Sequence, residues 1–200
     1  MISRSEIERS FTAVWGIFLG RPEAIRALDT SNDGFWRSFQ VILLVAPLYA
    51  LASFADWQAL TAPDRVAEGA IAGDAFIGAK IATLALDWVT FPILLAALAG
   101  FLGIKHQYAT FIVARNWSVP VAIGPFAAIA LLDIIGLLPA ELILIPSLLA
   151  FGFSLRLSFM VARIALGAAT PVAVAYVALD FLISLALARA VSAVFGIALW

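Results

Sequence analysis

The sequence has no cysteine and a single histidine, and charged residues make up only 12% of its 200 positions. Without cysteine the chain can form neither disulfide bonds nor thiolate metal sites, and it has no thiol nucleophile. Soluble domains carry about 25% charged residues. A chain at half that level, with 64% hydrophobic residues, is predicted to be an integral membrane protein. The net charge of −1 gives no basic excess, which argues against a nucleic-acid partner.

Sequence motifs of the common enzyme classes are also missing. The chain has no His-Glu-x-x-His, no Gly-x-Ser-x-Gly and no P-loop, and His106 alone cannot form a histidine cluster. We therefore expect no metal site, no cofactor and no catalytic residue. An intramembrane aspartyl enzyme using Asp87 and Asp180 is the remaining catalytic alternative. It is disfavoured because carboxylates inside a membrane more often pair with cations or line a path.

Five apolar segments are long enough to cross a bilayer, which requires about 20 residues. We expect these crossings at residues 37–55, 75–102, 119–138, 142–160 and 172–194. Residues 103–118 favour an interfacial helix, because Arg115 would then stay at the lipid headgroups. The alternative starts the third crossing at Tyr108 and leaves Arg115 and Asn116 inside the membrane. The prediction is thus an all-α polytopic membrane bundle with five transmembrane helices.

The N-terminal 34 residues are more polar than the rest and precede the bundle. Residues 2–19 have the pattern of an amphipathic helix, and its apolar face includes Phe11, Trp15 and Phe18. We expect this helix to lie in the cytoplasmic interface with its apolar face in the headgroups. The alternative is a short helix packed on the rest of the protein. The chain accordingly divides into an interfacial segment, residues 1–34, and a transmembrane bundle, residues 35–200.

The positions of lysine and arginine predict the orientation of the chain. With the N-terminus inside, all 12 of these residues except Arg65, Lys80 and Arg189 lie on or toward the cytoplasmic side. We therefore expect a protein of the bacterial inner membrane with a cytoplasmic N-terminus and a periplasmic C-terminus.

Polar residues recur at spacings of three and four along the second predicted crossing, so they share one stripe of that helix. The stripe consists of Lys80, Thr83, Asp87 and Thr90. The fifth predicted crossing has its own polar stripe, which contains Tyr176, Asp180 and Ser184. Asp87 and Asp180 lie at similar depth in this topology. Arg156 of the fourth crossing is the cation nearest to them in depth.

A charged side chain at the bilayer centre costs roughly 3 kcal/mol on insertion scales, so these residues should face protein or water. Either Asp87 and Asp180 line a proton or cation path, or one of them pairs with Arg156. In the second case the polar stripes form a seam that fixes how the helices pack. We favour the seam, because a cation of matching depth is available. Lys80 is expected to snorkel, or to cluster with Asp133 and Arg189 near the outer leaflet.

Three short stretches are informative in combination. They are W-G-I-F-L-G-R-P-E-A-I-R-A-L at residues 15–28, G-x-K-x-x-Y at 103–108 followed by N-W-S-V-P at 116–120, and the G-A-A-T-P break at 167–171. Together they resemble the bacterial branch of the Yip (Ypt/Rab-interacting protein) family. The resemblance implies a five-helix membrane bundle with a cytoplasmic N-terminal region that contacts membrane or protein partners. It supplies no catalytic residue.

These observations predict a non-enzymatic integral membrane protein that acts as an organiser or accessory subunit through helix packing and its cytoplasmic face. Its expected partners are the lipid bilayer and either further copies of itself or a larger membrane complex, since five short helices enclose little interior. The alternative is a small transporter or channel in which Asp87 and Asp180 lie on a proton or cation path.

Overall fold

The structure, a computed structural model, describes residues 2–61 and 73–197, and within these the regular structure is entirely helical. The α-helices are α1 (Arg4–Phe18), α2 (Asn32–Ser38), α3 (Ile42–Leu60), α4 (Gly73–Leu98), α5 (Tyr108–Ile134), α6 (Leu144–Ala165) and α7 (Thr170–Val194). Short 3₁₀ helices at Pro22–Ala27, Phe39–Val41 and Ala140–Leu142 join some of them. The predicted all-α class is confirmed.

Five helical segments are long and apolar enough to cross a membrane. They are Asn32–Leu60, which runs from α2 through a 3₁₀ turn into α3, and the helices α4, α5, α6 and α7. The chain therefore forms the five-helix membrane bundle that its composition predicts. Prolines lie inside α3, α4 and α5. Helices within a membrane tolerate them, because neighbouring groups satisfy the freed carbonyls.

The third crossing differs most from its prediction. In place of an interfacial helix at residues 103–118 and a crossing at 119–138, one continuous helix runs from Tyr108 to Ile134. Residues 111–118 are all buried, because α1, α2, α3 and α6 pack around this part of α5. Arg115 is thus surrounded by protein and does not lie at the lipid headgroups. The expectation from the sequence considered only the cost of placing a charge in lipid.

Helix α5 packs between α3 and α6, and α7 packs along both α6 and α4. Helix α4 touches α3 and α5 over short stretches only. The main core surrounds the first third of α5, at the end of the bundle where α1, α2 and the α4–α5 and α6–α7 connections lie. We call this the N-terminal end. A smaller core of Phe76, Ala79, Val191 and Ile197 joins α4 to α7 at the opposite, far end.

Helix α2 begins with a close backbone approach at Gly34. The Ser31 hydroxyl accepts a hydrogen bond from the Gly34 N–H at 3.1 Å and caps the helix. A Cβ on Gly34 would lie 2.6 Å from the carboxyl carbon of Asp29 and nearer still to the Asp29 carbonyl oxygen. Only glycine fits here without displacing the Asp29 backbone.

We therefore expect Gly34→Ala to separate α2 from the Asp29 turn and to lower the thermal unfolding temperature in detergent. The matched control is Gly152→Ala in α6, where an added Cβ has no neighbour within 4 Å. Alanine has the higher helix propensity, so the control should be neutral or mildly stabilising. Equal unfolding temperatures for the two variants would contradict the steric argument.

Candidate functional site

Three charged side chains meet between α4, α5 and α7, and we call Arg115, Asp87 and Asp180 the charged triad. Arg115 Nη2 donates a hydrogen bond to Asp180 Oδ1 at 2.9 Å and lies 4.0 Å from Asp87 Oδ2. The Ser184 hydroxyl donates to Asp87 Oδ1 at 2.5 Å. The guanidinium also lies over the ring of Phe91, 4.9 Å from its centroid, in a cation–π contact.

Helical spacing explains how α7 contacts both Arg115 of α5 and Asp87 of α4. Asp180 and Ser184 are four residues apart, so they lie one above the other on the same face of α7. Asp180 meets Arg115 of α5, and Ser184 meets Asp87 of α4. Tyr176, one turn before Asp180, packs its ring against Phe111 at a centroid distance of 5.9 Å. The two polar stripes predicted from the sequence therefore meet at Asp87 and Ser184.

The three side chains of the charged triad differ in burial, and their charges do not cancel. The Arg115 side chain is 10% exposed, against 29% for Asp180 and 35% for Asp87. One guanidinium faces two carboxylates, so with both carboxylates ionised the triad carries a charge of −1. An ionised group that lacks a full partner is strongly disfavoured in an apolar interior.

Arg156 is not the partner of the two aspartates, contrary to expectation. It is exposed on α6, where its Nη2 donates to the Phe18 carbonyl at 3.3 Å and its guanidinium lies over the Phe18 ring. Arg156 thus reaches Phe18 at the end of α1, whereas both aspartates lie near Arg115 of α5. Arg115 takes the role that the sequence assigned to Arg156. The sequence pointed to Arg115 only through the alternative in which the third crossing begins at Tyr108, because that alternative leaves Arg115 inside the membrane.

Lys80 also has a partner that was not expected. Its Nζ lies 2.7 Å from Asp56 Oδ2 of α3 and 5.3 Å from the centroid of the Phe76 ring. The cluster expected with Asp133 and Arg189 does not form around it, because Lys80 is turned toward α3, and Arg189 is exposed on α7. The other members of the α4 stripe, Thr83 and Thr90, are half-buried.

A cavity of about 20 Å³ adjoins the charged triad between α5, α6 and α7. Its lining includes Arg115, Ser158, Tyr176 and Asp180. Among the described residues, Arg115 Nε and the Tyr176 hydroxyl are buried without a hydrogen-bond partner. A cavity needs roughly 10–15 Å³ to hold one water molecule, so this one has room for a single water.

A second polar cluster, which sequence reasoning missed, stabilises the N-terminal end. Asn116, fully buried on α5, donates from Nδ2 to the Ser38 hydroxyl at 3.0 Å. Trp88 of α4 donates from Nε1 to the Phe39 carbonyl at 3.2 Å. These bonds attach α4 and α5 to the turn between α2 and α3. Asn116 was visible in the sequence, but its partner is 78 residues away.

The three residues expected on an interfacial face have different environments. Phe11 packs edge-on against Trp117 at 6.2 Å, and Phe18 lies 4.6 Å from Phe153, both as ring-centroid distances. Trp15 is 51% exposed. Val14 and Ile17 of the same helix are fully buried. One side of α1 therefore packs on α5 and α6, as in the alternative of a docked helix, and Trp15 lies outside that contact.

An ion-pair network joins α1 to α2. Arg37 contacts Glu6 at 3.3 Å and Asp29 at 2.5 Å. The Ser31 hydroxyl and N–H donate to the Asp29 carboxylate, and together with Arg37 they hold the pKa of Asp29 below its ordinary value of 3.8. This network fixes the N-terminal segment to the start of the first crossing.

The lowered pKa of Asp29 gives a testable pH dependence. Because the folded-state pKa lies below the unfolded value, the stabilisation is present above about pH 4 and is lost as the pH falls through the lowered pKa. We expect Asp29→Asn to increase amide hydrogen exchange in residues 29–38 at pH 7. The difference from the parent protein should disappear in strongly acidic buffer. A difference that is constant with pH would show that the carboxylate charge is not responsible.

Comparison with family models, curated proteins and solved structures finds no match. The Yip resemblance therefore stands on the three sequence stretches alone.

Proposed function

We propose that this protein is a non-enzymatic organiser or accessory subunit of the bacterial inner membrane, related to the Yip family. The observation that carries the proposal is the engagement of the intramembrane charges with one another. Arg115 binds Asp180, approaches Asp87, and is itself 10% exposed. Charges used in this way hold helices together. The adjoining cavity has the volume of one water and not of a continuous path.

We further propose that the N-terminal end faces the cytoplasm. Exposed cations at that end include Arg4, Arg9, Arg21, Arg26 and Lys105. An excess of lysine and arginine near membrane crossings marks the cytoplasmic side, irrespective of the acidic residues nearby.

The partner-binding surface in this proposal consists of three exposed apolar residues on or beside α1 and α2, namely Trp15, Leu19 and Trp36. Their exposed fractions are 51%, 46% and 64%. None of them belongs to the main core, so the fold does not require large apolar residues at these positions. Tryptophan is common at membrane interfaces and at the centres of protein contacts. We call these three residues the N-terminal face.

Photo-crosslinking in native membranes tests this surface. A photoreactive residue at Trp15 should give a discrete protein adduct, whereas one at Phe101 should not. Phe101 is the matched control, because it lies at the same end of the bundle and is 91% exposed. Co-expression of two differently tagged copies shows whether the adduct contains a second copy of this chain, as expected for a homo-oligomer. If a photoreactive residue at Trp15 gives lipid adducts and no protein adduct, the proposal is contradicted.

A proton or cation transporter is the second candidate, favoured by two carboxylates that converge on one cation. The two candidates predict opposite results in liposomes. The organiser should show no proton or cation flux above that of empty vesicles. A transporter should show a flux that Asp180→Asn abolishes and that the control Asp74→Asn, at an exposed residue near the start of α4, retains.

A further inference from the structure

The charge of the triad is not balanced by any other described side chain facing it. On α4 and α3, Lys80 and Asp56 pair with each other. Tyr49 of α3 carries a hydroxyl group and supplies no positive charge. On α6 the neutral Ser158 lines the adjoining cavity, while Arg156 contacts Phe18 of α1.

The remaining neighbours on α7 supply no positive charge either. Ser184 and Tyr176 are neutral hydroxyl groups, and Arg189 is exposed more than two turns beyond Asp180. Arg115 is the single cation in contact with Asp87 and Asp180 in the described part of the chain. One negative charge is therefore uncompensated inside the bundle, and a small cation at the carboxylates would remove it.

A second and independent observation points to a ligand beside the triad. Arg115 and Tyr176 are buried, with 8% and 6% of their surface exposed. Arg115 Nε and the Tyr176 hydroxyl lack protein partners, and both residues line the one-water cavity with Asp180. A water there would have a donor, a hydroxyl and a carboxylate as neighbours, which is the polar setting that buried waters occupy.

We propose that the charged triad binds one proton on its two carboxylates, and that a water in the adjoining cavity carries this proton to Asp180. On uptake, the cavity water accepts a proton from a hydronium ion of the bulk solvent and gives one of its own protons to a carboxylate oxygen. A carboxylic acid O–H bond forms, the bulk hydronium becomes water, the cavity water is regenerated, and the triad changes from −1 to neutral. Release reverses these steps and needs no other reactant.

Proton binding would control how tightly α4 and α7 are held to α5. Helix α4 touches α5 over a short stretch only, where the Tyr108 hydroxyl donates to the Pro92 carbonyl at 3.0 Å. The triad is a second polar link between these two helices, and it also reaches α7. With the proton bound, one guanidinium and one carboxylate attract each other without competition. After proton release, two carboxylates repel each other at the same guanidinium. At the triad, α4 and α7 are then held less tightly to α5.

Infrared spectroscopy of the full-length protein in nanodiscs tests the proposal directly. The parent protein should show a carboxylic acid C=O absorption at neutral pH that shifts in D₂O and disappears at high pH. Both Asp87→Asn and Asp180→Asn should abolish the band, since either change leaves one carboxylate facing one guanidinium. The exposed control Asp74→Asn should leave the band unchanged.

The parent spectrum alone is decisive if a variant fails to fold, because absence of the band at neutral pH overturns the proposal. A band that survives either substitution also overturns it, since charge balance would then not be its cause. Tyr176→Phe tests the water. It should keep the band and slow its exchange with D₂O severalfold, and an unchanged exchange rate refutes the cavity route. These results do not depend on the N-terminal face, so the organiser proposal can fail independently.

Discussion

Replacing Arg115 with leucine is expected to destabilise this protein more than removing any other cation of the bundle. The change leaves Asp87 and Asp180 near each other without their shared guanidinium. Removing one partner of a buried ion pair costs about 3–5 kcal/mol. Because the two carboxylates are partly exposed, we expect the lower end of that range. The thermal unfolding temperature in detergent should then fall by roughly 10 °C.

Arg156→Leu is the matched control for this prediction. Arg156 is the cation that depth alone would assign to the aspartates, but it is exposed and contacts Phe18. Its removal should change the unfolding temperature little. Adding Asp87→Asn and Asp180→Asn to Arg115→Leu should recover much of the loss, since no unpaired charge remains. Equal effects of Arg115→Leu and Arg156→Leu would show that the triad does not stabilise the bundle.

The second large effect is expected at Trp117, in the part of α5 that is buried on all sides. Its side chain is 1% exposed and packs against Phe11 of α1. Replacing a buried tryptophan with alanine removes its packing and leaves a cavity, which costs about 3–5 kcal/mol. We therefore expect Trp117→Ala to lower the unfolding temperature by roughly 10 °C. Limited proteolysis should also cut the N-terminal segment faster, because α1 loses its contact.

Trp36→Ala is the control, because this tryptophan is 64% exposed. It lies in α2, close to the same core, and the chemical change is identical. If the unfolding temperature falls little for Trp36→Ala and much for Trp117→Ala, the loss of stability is due to the burial of Trp117 and not to the removal of a tryptophan as such. If the two variants unfold at the same temperature, the first third of α5 is not the centre of the core.

The class and the helices follow from composition and periodicity. The chain has half the usual share of charged residues and five long apolar segments, which favours a helical membrane protein over other classes. A membrane-spanning helix satisfies the hydrogen bonds of its backbone within itself. The ranges predicted around α3, α4, α6 and α7 overlap the observed helices. The stripe spacing of Asp87 on α4 and of Asp180 and Ser184 on α7 also placed these residues on defined helix faces. Each of these inferences depends on neighbours within one segment.

The partners within the polar seam could not be derived from the sequence of each helix taken separately. Lys80, Thr83, Asp87 and Thr90 define a stripe in any α-helix, but spacing within one helix does not identify the helix that this stripe meets. Depth suggested Arg156, whereas packing around α5 brings in Arg115. Insertion energies assume lipid or water around a charge. Arg115 is surrounded by protein and aspartate, so the rule that placed it at the headgroups did not apply.

The sequence by itself determined that this is a membrane protein, that it has five apolar crossings, and that Asp87 and Asp180 must avoid lipid. These properties depend on hydrophobicity and on helical periodicity, which act along the chain. The tertiary structure decided that α5 begins at Tyr108, that α1 docks on α5 and α6, and that one arginine serves two carboxylates. Those choices depend on contacts between residues about 30 to 140 positions apart, whose combined packing outweighs the burial of a single charge.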